Sequence, residues 1–239
     1  GEVQRGRLKL AIKNAYSNTV GGKPPTIYDV HAEYLGIVGV KPDTPMSIID
    51  DLVDMEIFEK DVDKTINFDK FLDGVVVVSL DALGQDDRSK NLLVAIMLNM
   101  FYENMLITPK RPYLGTNPQL RFIDSYLLVD EADNIMSYEF EVLKKLLLQG
   151  REFGVGVVLA SQYLSHFKTS GEDYKTPLFS WFLHKVPNVT ASEIGGLGLT
   201  DNLAHLADRV KNLENHHSLL KTIGFSGEIV RDLPFYKIQ

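Results

Sequence analysis

The stretch SYLLVDEADNIM, residues 125–136, decides the reading of the fold. Tyr126 and the aliphatics Leu127, Leu128 and Val129 run straight into two adjacent carboxylates, Asp130 and Glu131, and the segment then turns polar. A short continuous apolar run is what a strand buried on both faces requires, and such strands belong to parallel sheets covered by helices. Open α/β folds bind ligands at the carboxyl edge of those strands, so Asp130 and Glu131 are expected at that edge. A plainer reading stands beside it: strands end at polar turns, and helices favour acidic first turns.

The flanking segments alternate in the same way. GVVVVSLDALG (74–84) is a β-branched run that predicts a second buried strand, followed by a strongly apolar helix over 88–106. Within that helix Met97, Met100 and Met105 beside Phe101 read as core filling. SYEFEVLKKLLLQG (137–150) has helical spacing and is expected to stop at Gly150, and GVGVVLASQ (154–162) is a third buried strand. WFLHKV (181–186) predicts a fourth strand, TASEIGGLG and DNLAHLADRV short helices, and 217–236 a hairpin turning at Gly224–Gly227.

Residues 1–70 read differently, as helices broken by turns. Leu8, Ile12 and Ala15 share one helical face, Thr26 is placed to cap a second helix, and Pro45 to open a third. The expectation is a helical region over 1–70 and an α/β domain with a mostly parallel sheet over 71–239.

Composition limits what such a domain can do. The chain has 239 residues, 44% of them hydrophobic, enough for a sizeable core. Its 25 Lys and Arg against 32 Asp and Glu give a formal charge of −7, unlike a chain whose whole surface grips nucleic acid. Cysteine is absent, which excludes disulfides and thiolate metal sites and points to an intracellular, cytoplasmic setting. No apolar run approaches the roughly 18 residues a membrane span needs.

Adjacent Asp and Glu at a strand end suit nucleoside-triphosphate hydrolysis. The Asp supports a magnesium shell, usually through water, and the Glu polarises the water that attacks the γ-phosphate. Ser161-Gln162 ends the next strand, placing an amide at the same edge, where it can donate to the γ-phosphate or hold the attacking water. Arg151 precedes that strand and is expected away from the carboxyl edge; it can reach a neighbouring subunit's site as a finger, or satisfy the last carbonyls of its helix.

These motifs, in this order, resemble the HerA/FtsK-type ATPases, hexameric DNA-pumping motors of the RecA-like class. The resemblance runs over about 70–239 and rests on Ser79-Leu80 at one strand end, YLLVDEADN (126–134), the Gly150-Arg151…Gly154-x-Gly156 turn and the strand ending in Ser161-Gln162. FLDGVVVVSLDALGQDDRSKNLLVAIMLNMFYENM and GEIVRDLPFYKI are similar to the HerA-like ATPases of phosphorothioation-dependent DNA restriction. It implies a RecA-like sheet, ATP and Mg2+ with Asp130 on the metal side, Glu131, Gln162 and Arg151 as catalytic residues, a homo-oligomeric ring, DNA as partner and other restriction-system proteins beside it.

One part is missing. A phosphate loop needs G-x-x-x-x-G-K-[ST], and the Gly22-Lys23 pair has Ser17 at the first position and Pro24 where the hydroxyl should be. Pro24-Pro25 also bars a helix with free N–H donors, so this reads as a surface turn. The expected account is a C-terminal portion whose cradle lies upstream, nearly inactive alone; a non-hydrolysing docking module is the alternative. Asp81 can shape a magnesium shell or cap a turn, with the turn favoured. His216-His217 lacks metal-site spacing, Gly195–Gly198 is a loop rather than a dinucleotide fingerprint, and the basic face of Arg5, Arg7, Lys9 and Lys13 beside Tyr16 reads as solvated.

Overall fold

The computed structural model describes residues 1–19, 21–39, 41–80, 87–116, 120–234 and 237. The chain divides into two compact units, residues 1–104 and 105–239. The fold class is mixed α/β.

The first unit is helical. Helix α1 spans Glu2–Asn18, α2 Ile27–Val38 and α3 Thr44–Asp54. Thr26 caps α2 with a reciprocal Asp29 contact, and Asp43 caps α3 with Pro45 in its first turn, as their sequences dictate. Ala11, Tyr34, Met46 and Ile49 form the core, with Leu8 packed against it. Ala11, rather than the expected Ile12, therefore sits on the inner face with Leu8 and Ala15, and Ile12 is exposed. The Tyr34 hydroxyl donates to the Asp43 carboxylate at 3.0 Å, which ties α2 to the cap of α3. A short helix α4 spans Phe68–Phe71, and α5 runs Asp87–Leu106 with Leu93, Val94 and Leu98 buried. Met100 is exposed, so of that group it is no core filler.

The expected strand over 74–84 does not form in its described part. Residues 75–79 have no regular secondary structure, and Val75 and Val77 are 92% and 81% exposed. Valines favour a pleated surface but supply no partner for their own N–H and C=O groups, and the described residues of this unit form no sheet. Asp81 lies outside the described residues.

The second unit holds the sheets. Strand β1 (Ser125–Val129) pairs in parallel with β2 (Val155–Leu159), in register Ser125↔Val155 through Val129↔Leu159. Between them run α6 (Ala132–Met136), α7 (Glu141–Gln149) and a 3-10 turn (Gly150–Phe153). Val142, Leu143 and Leu146 are the buried stripe of α7. The helical path does not stop at Gly150, which is right-handed and whose absent Cβ lets Val155 approach; it stops at Gly154, with φ 82°.

The mostly parallel sheet expected from the sequence is, among the described residues, this two-strand pair. The predicted fourth strand, β3 (Trp181–Leu183), joins a separate antiparallel sheet instead. Helices α8 (Ala191–Gly195) and α9 (Leu203–Lys211) follow, then the hairpin of β4 (His217–Thr222) and β5 (Phe225–Arg231). β3 lies against β4 because the hairpin offers it an open edge. The hairpin turns at Ile223-Gly224, earlier than expected, and Gly227 instead serves a register shift within β5, where a Cβ would meet Leu199 at 3.2 Å.

Candidate functional site

The parallel pair fixes the site because equal strand lengths in register end together. After the Val129↔Leu159 pair the ladder continues: the Ala160 N–H donates to the Val129 carbonyl at 2.9 Å, and the Ala132 N–H to the Ala160 carbonyl at 2.8 Å. The Asp130-Glu131 segment and the Ser161-Gln162 segment therefore leave the sheet at one carboxyl edge. Asp130, Glu131 and Gln162 are all exposed there.

Glu131 takes a left-handed conformation, φ 48° and ψ 47°, uncommon for a residue with a Cβ. Strain of that kind is tolerated where a neighbouring structure demands it, and here the chain must reverse from strand to helix in one residue. Glu131 occupies the cap position of α6 but its carboxylate makes no capping bond, which leaves the acid to face outward. The Asn134 amide donates to the Glu131 carboxylate at 3.5 Å, while the Asp130 carboxylate accepts from the Glu131 N–H at 3.0 Å. Asn202, at the start of α9, is a left-handed helix cap without a side-chain bond in the same way, so the conformation fits the plain polar-turn reading as well as a catalytic one.

A second polar group sits on the same edge. The Ser161 hydroxyl donates to Asp133 Oδ1 at 3.1 Å and lies 2.8 Å from His166 Nδ1, while that nitrogen is 3.5 Å from Asp133 Oδ2. The Tyr163 ring meets the imidazole edge-on at 5.2 Å. This is no nucleophile triad. Both contacts of the imidazole use one ring nitrogen, whereas a relay needs one nitrogen for the acid and the other for the hydroxyl. Asp133 and His166 were not singled out from the sequence; His166 sits in a 3-10 turn, Leu164–Phe167, that carries no periodic signal.

Arg151 lies at the opposite end, in the 3-10 turn that leads into β2, with its guanidinium over the Phe179 ring at 5.2 Å. Other cations collect at this amino edge. Arg111 pairs with Asp124 at 2.8 Å and donates its backbone N–H to the Glu152 carbonyl, Arg121 donates to the Arg111 carbonyl, and Lys110 pairs with Glu152 at 2.5 Å. The hydrogen bond and charge of Lys110 hold the Glu152 carboxyl below the usual range, with smaller help from Arg121 and Arg151.

No family model matches the chain, and no curated protein matches it.

Two observations bear on which groups fit a nucleotide and its metal. Among the described residues no three His, Asp or Glu side chains gather as a metal cage; Asp130, exposed at the edge, could serve as one magnesium ligand, directly or through water. Gly21 and Gly22 form a left-handed turn, Lys23 pairs with Asp63, and Pro24-Pro25 leads to the cap of α2. That turn is not a phosphate cradle. Ser79-Leu80, expected at the end of a strand, is outside any strand.

Proposed function

We propose that this chain is the C-terminal ATPase portion of a HerA/FtsK-like DNA translocase, of the DptH kind that serves phosphorothioation-dependent restriction. The observation that carries the reading is the parallel register that brings Asp130-Glu131 and Ser161-Gln162 off one edge of the β1–β2 pair. A carboxylate pair beside an uncharged amide is the chemistry that γ-phosphate hydrolysis asks of a protein.

In this reading Glu131 accepts the proton of the attacking water, and Asp130 orients the water shell of the metal. Magnesium, when bound with ATP, neutralises phosphate charge. Gln162 holds the water or donates to the γ-phosphate, and so distinguishes intact from cleaved nucleotide. Arg151 faces the other way and serves the site of an adjacent subunit in a ring that threads DNA, alongside the other restriction-system proteins. The phosphate cradle is not encoded in these 239 residues, so the reading requires one from outside them.

The missing cradle and the net charge of −7 favour a second reading, a docking module that assembles partners of a restriction complex without hydrolysis. Glu131→Gln separates the two. In the protein that carries this chain together with a phosphate cradle, turnover is expected to fall by about 100-fold or more while ATP binding is retained. Undiminished turnover removes Glu131 as the base; absence of turnover in the unsubstituted protein favours the docking module.

A further inference from the structure

We propose that His166 is a positioning residue for Gln162, acting through the Ser161 hydroxyl. The proposal rests on the ATPase reading above, because it assigns a purpose to where Gln162 stands.

The bonding pattern fixes the roles. A carboxylate only accepts, so the one hydroxyl proton of Ser161 goes to Asp133. Ser161 Oγ is then an acceptor toward His166, and the imidazole must carry its proton on Nδ1 to make the 2.8 Å contact. Ser161 is thereby gripped from two elements: Asp133 belongs to α6, which Glu131 opens, and His166 to the turn that follows Gln162. Rotation of the Ser161-Gln162 segment breaks both bonds at once.

The turn that bears His166 is itself anchored. Leu164 and Phe167 are buried on either side of it, and the Phe167 ring packs edge-on against Trp181 at 5.1 Å. The Tyr174 N–H donates to the Phe167 carbonyl at 2.9 Å, and Glu139 accepts from the Gly171 N–H at 2.8 Å, closing the loop beyond. A rigid His166 holding a hydroxyl next to an exposed amide is an arrangement for aiming that amide. Supporting groups of this sort set the placement on which a water-orienting residue depends.

The test has two arms. In this chain, NMR relaxation reads the backbone order of Ser161 and Gln162. His166→Ala and Ser161→Ala are expected to mobilise both residues while Trp181 keeps its native fluorescence, and His166→Gln, whose amide can still donate, to restore order. Unchanged order in both alanine variants overturns the proposal. In the protein with its phosphate cradle, His166→Ala is expected to lower kcat about tenfold with KM for ATP unchanged, and to add nothing once Gln162→Ala is present. Additive losses overturn it, since they mean that His166 acts other than through Gln162. If Gln162→Ala and Glu131→Gln both leave turnover intact, the ATPase reading fails instead, and the relaxation arm still decides whether His166 holds the segment.

Discussion

The two edges of one strand pair carry opposite chemistry. At the carboxyl edge stand Asp130, Glu131 and Asp133 with the Ser161 hydroxyl, His166 and Gln162. At the amino edge stand Lys110, Arg111, Arg121 and Arg151, with Asp124 and Glu152 as partners. The strands are five residues each, so the edges are separated by roughly 17 Å at about 3.3 Å per residue. Parallel pairing imposes the separation, because it sends every strand end to one side and every strand start to the other. In the proposed reading, Arg151 at the start and Glu131 at the end of such a pair would serve one reaction between copies of the chain.

The sharpest way to break the contrast is to spoil one edge alone. Gly154 has φ 82°, and a Cβ there would meet Arg111 Cγ at 2.7 Å and Asp124 Oδ1 at 2.8 Å. Gly154→Ala is expected to cost about 2 kcal/mol, from left-handed strain plus the displaced ion pair. Urea unfolding followed at Trp181, the single tryptophan, reads the loss; an unchanged midpoint would mean that the amino edge yields freely.

A smaller effect is expected from Arg111→Ala. Its pair with Asp124 is about one-third exposed on both sides, which limits the ion pair to about 1 kcal/mol. The same unfolding measurement checks it, and the order parameters of Gln162 at the far edge should not change. The smallest effect is in pH. Because Lys110 lowers the Glu152 carboxyl, that contact stabilises the fold fully above the ordinary glutamate range and loses its contribution as pH falls through the lowered value. Lys110→Ala should move the Glu152 titration, followed by carboxyl NMR, back upward.

The contrast between edges was legible in the sequence, since YLLV-DE and VVLA-SQ each end an apolar run in polar groups and Arg151 precedes the second run. Val75–Val78 shows where that logic stops. Its composition is more strand-like than that of β1, yet it is exposed and without regular structure. A run of β-branched residues states a preference for a sheet; the ladder partner is a property of the rest of the chain. Gly150 and Gly154 failed in a subtler way, because both are glycines near a helix end and only their φ values tell the close approach from the cap. The Asp133–Ser161–His166 network was hidden for a third reason: its members come from two loops and a helix of five residues, too short to show any period.

The most direct test of the split between edges is a mixing experiment with the cradle-bearing protein. Subunits carrying Glu131→Gln and subunits carrying Arg151→Ala, each of low activity alone, are combined and ATP turnover is followed against their ratio. If the amino edge of one copy completes the carboxyl edge of another, mixed assemblies pair an intact Glu131 with an intact Arg151 and turnover rises above either parent. Turnover that stays at the weighted mean of the two parents at every ratio contradicts it.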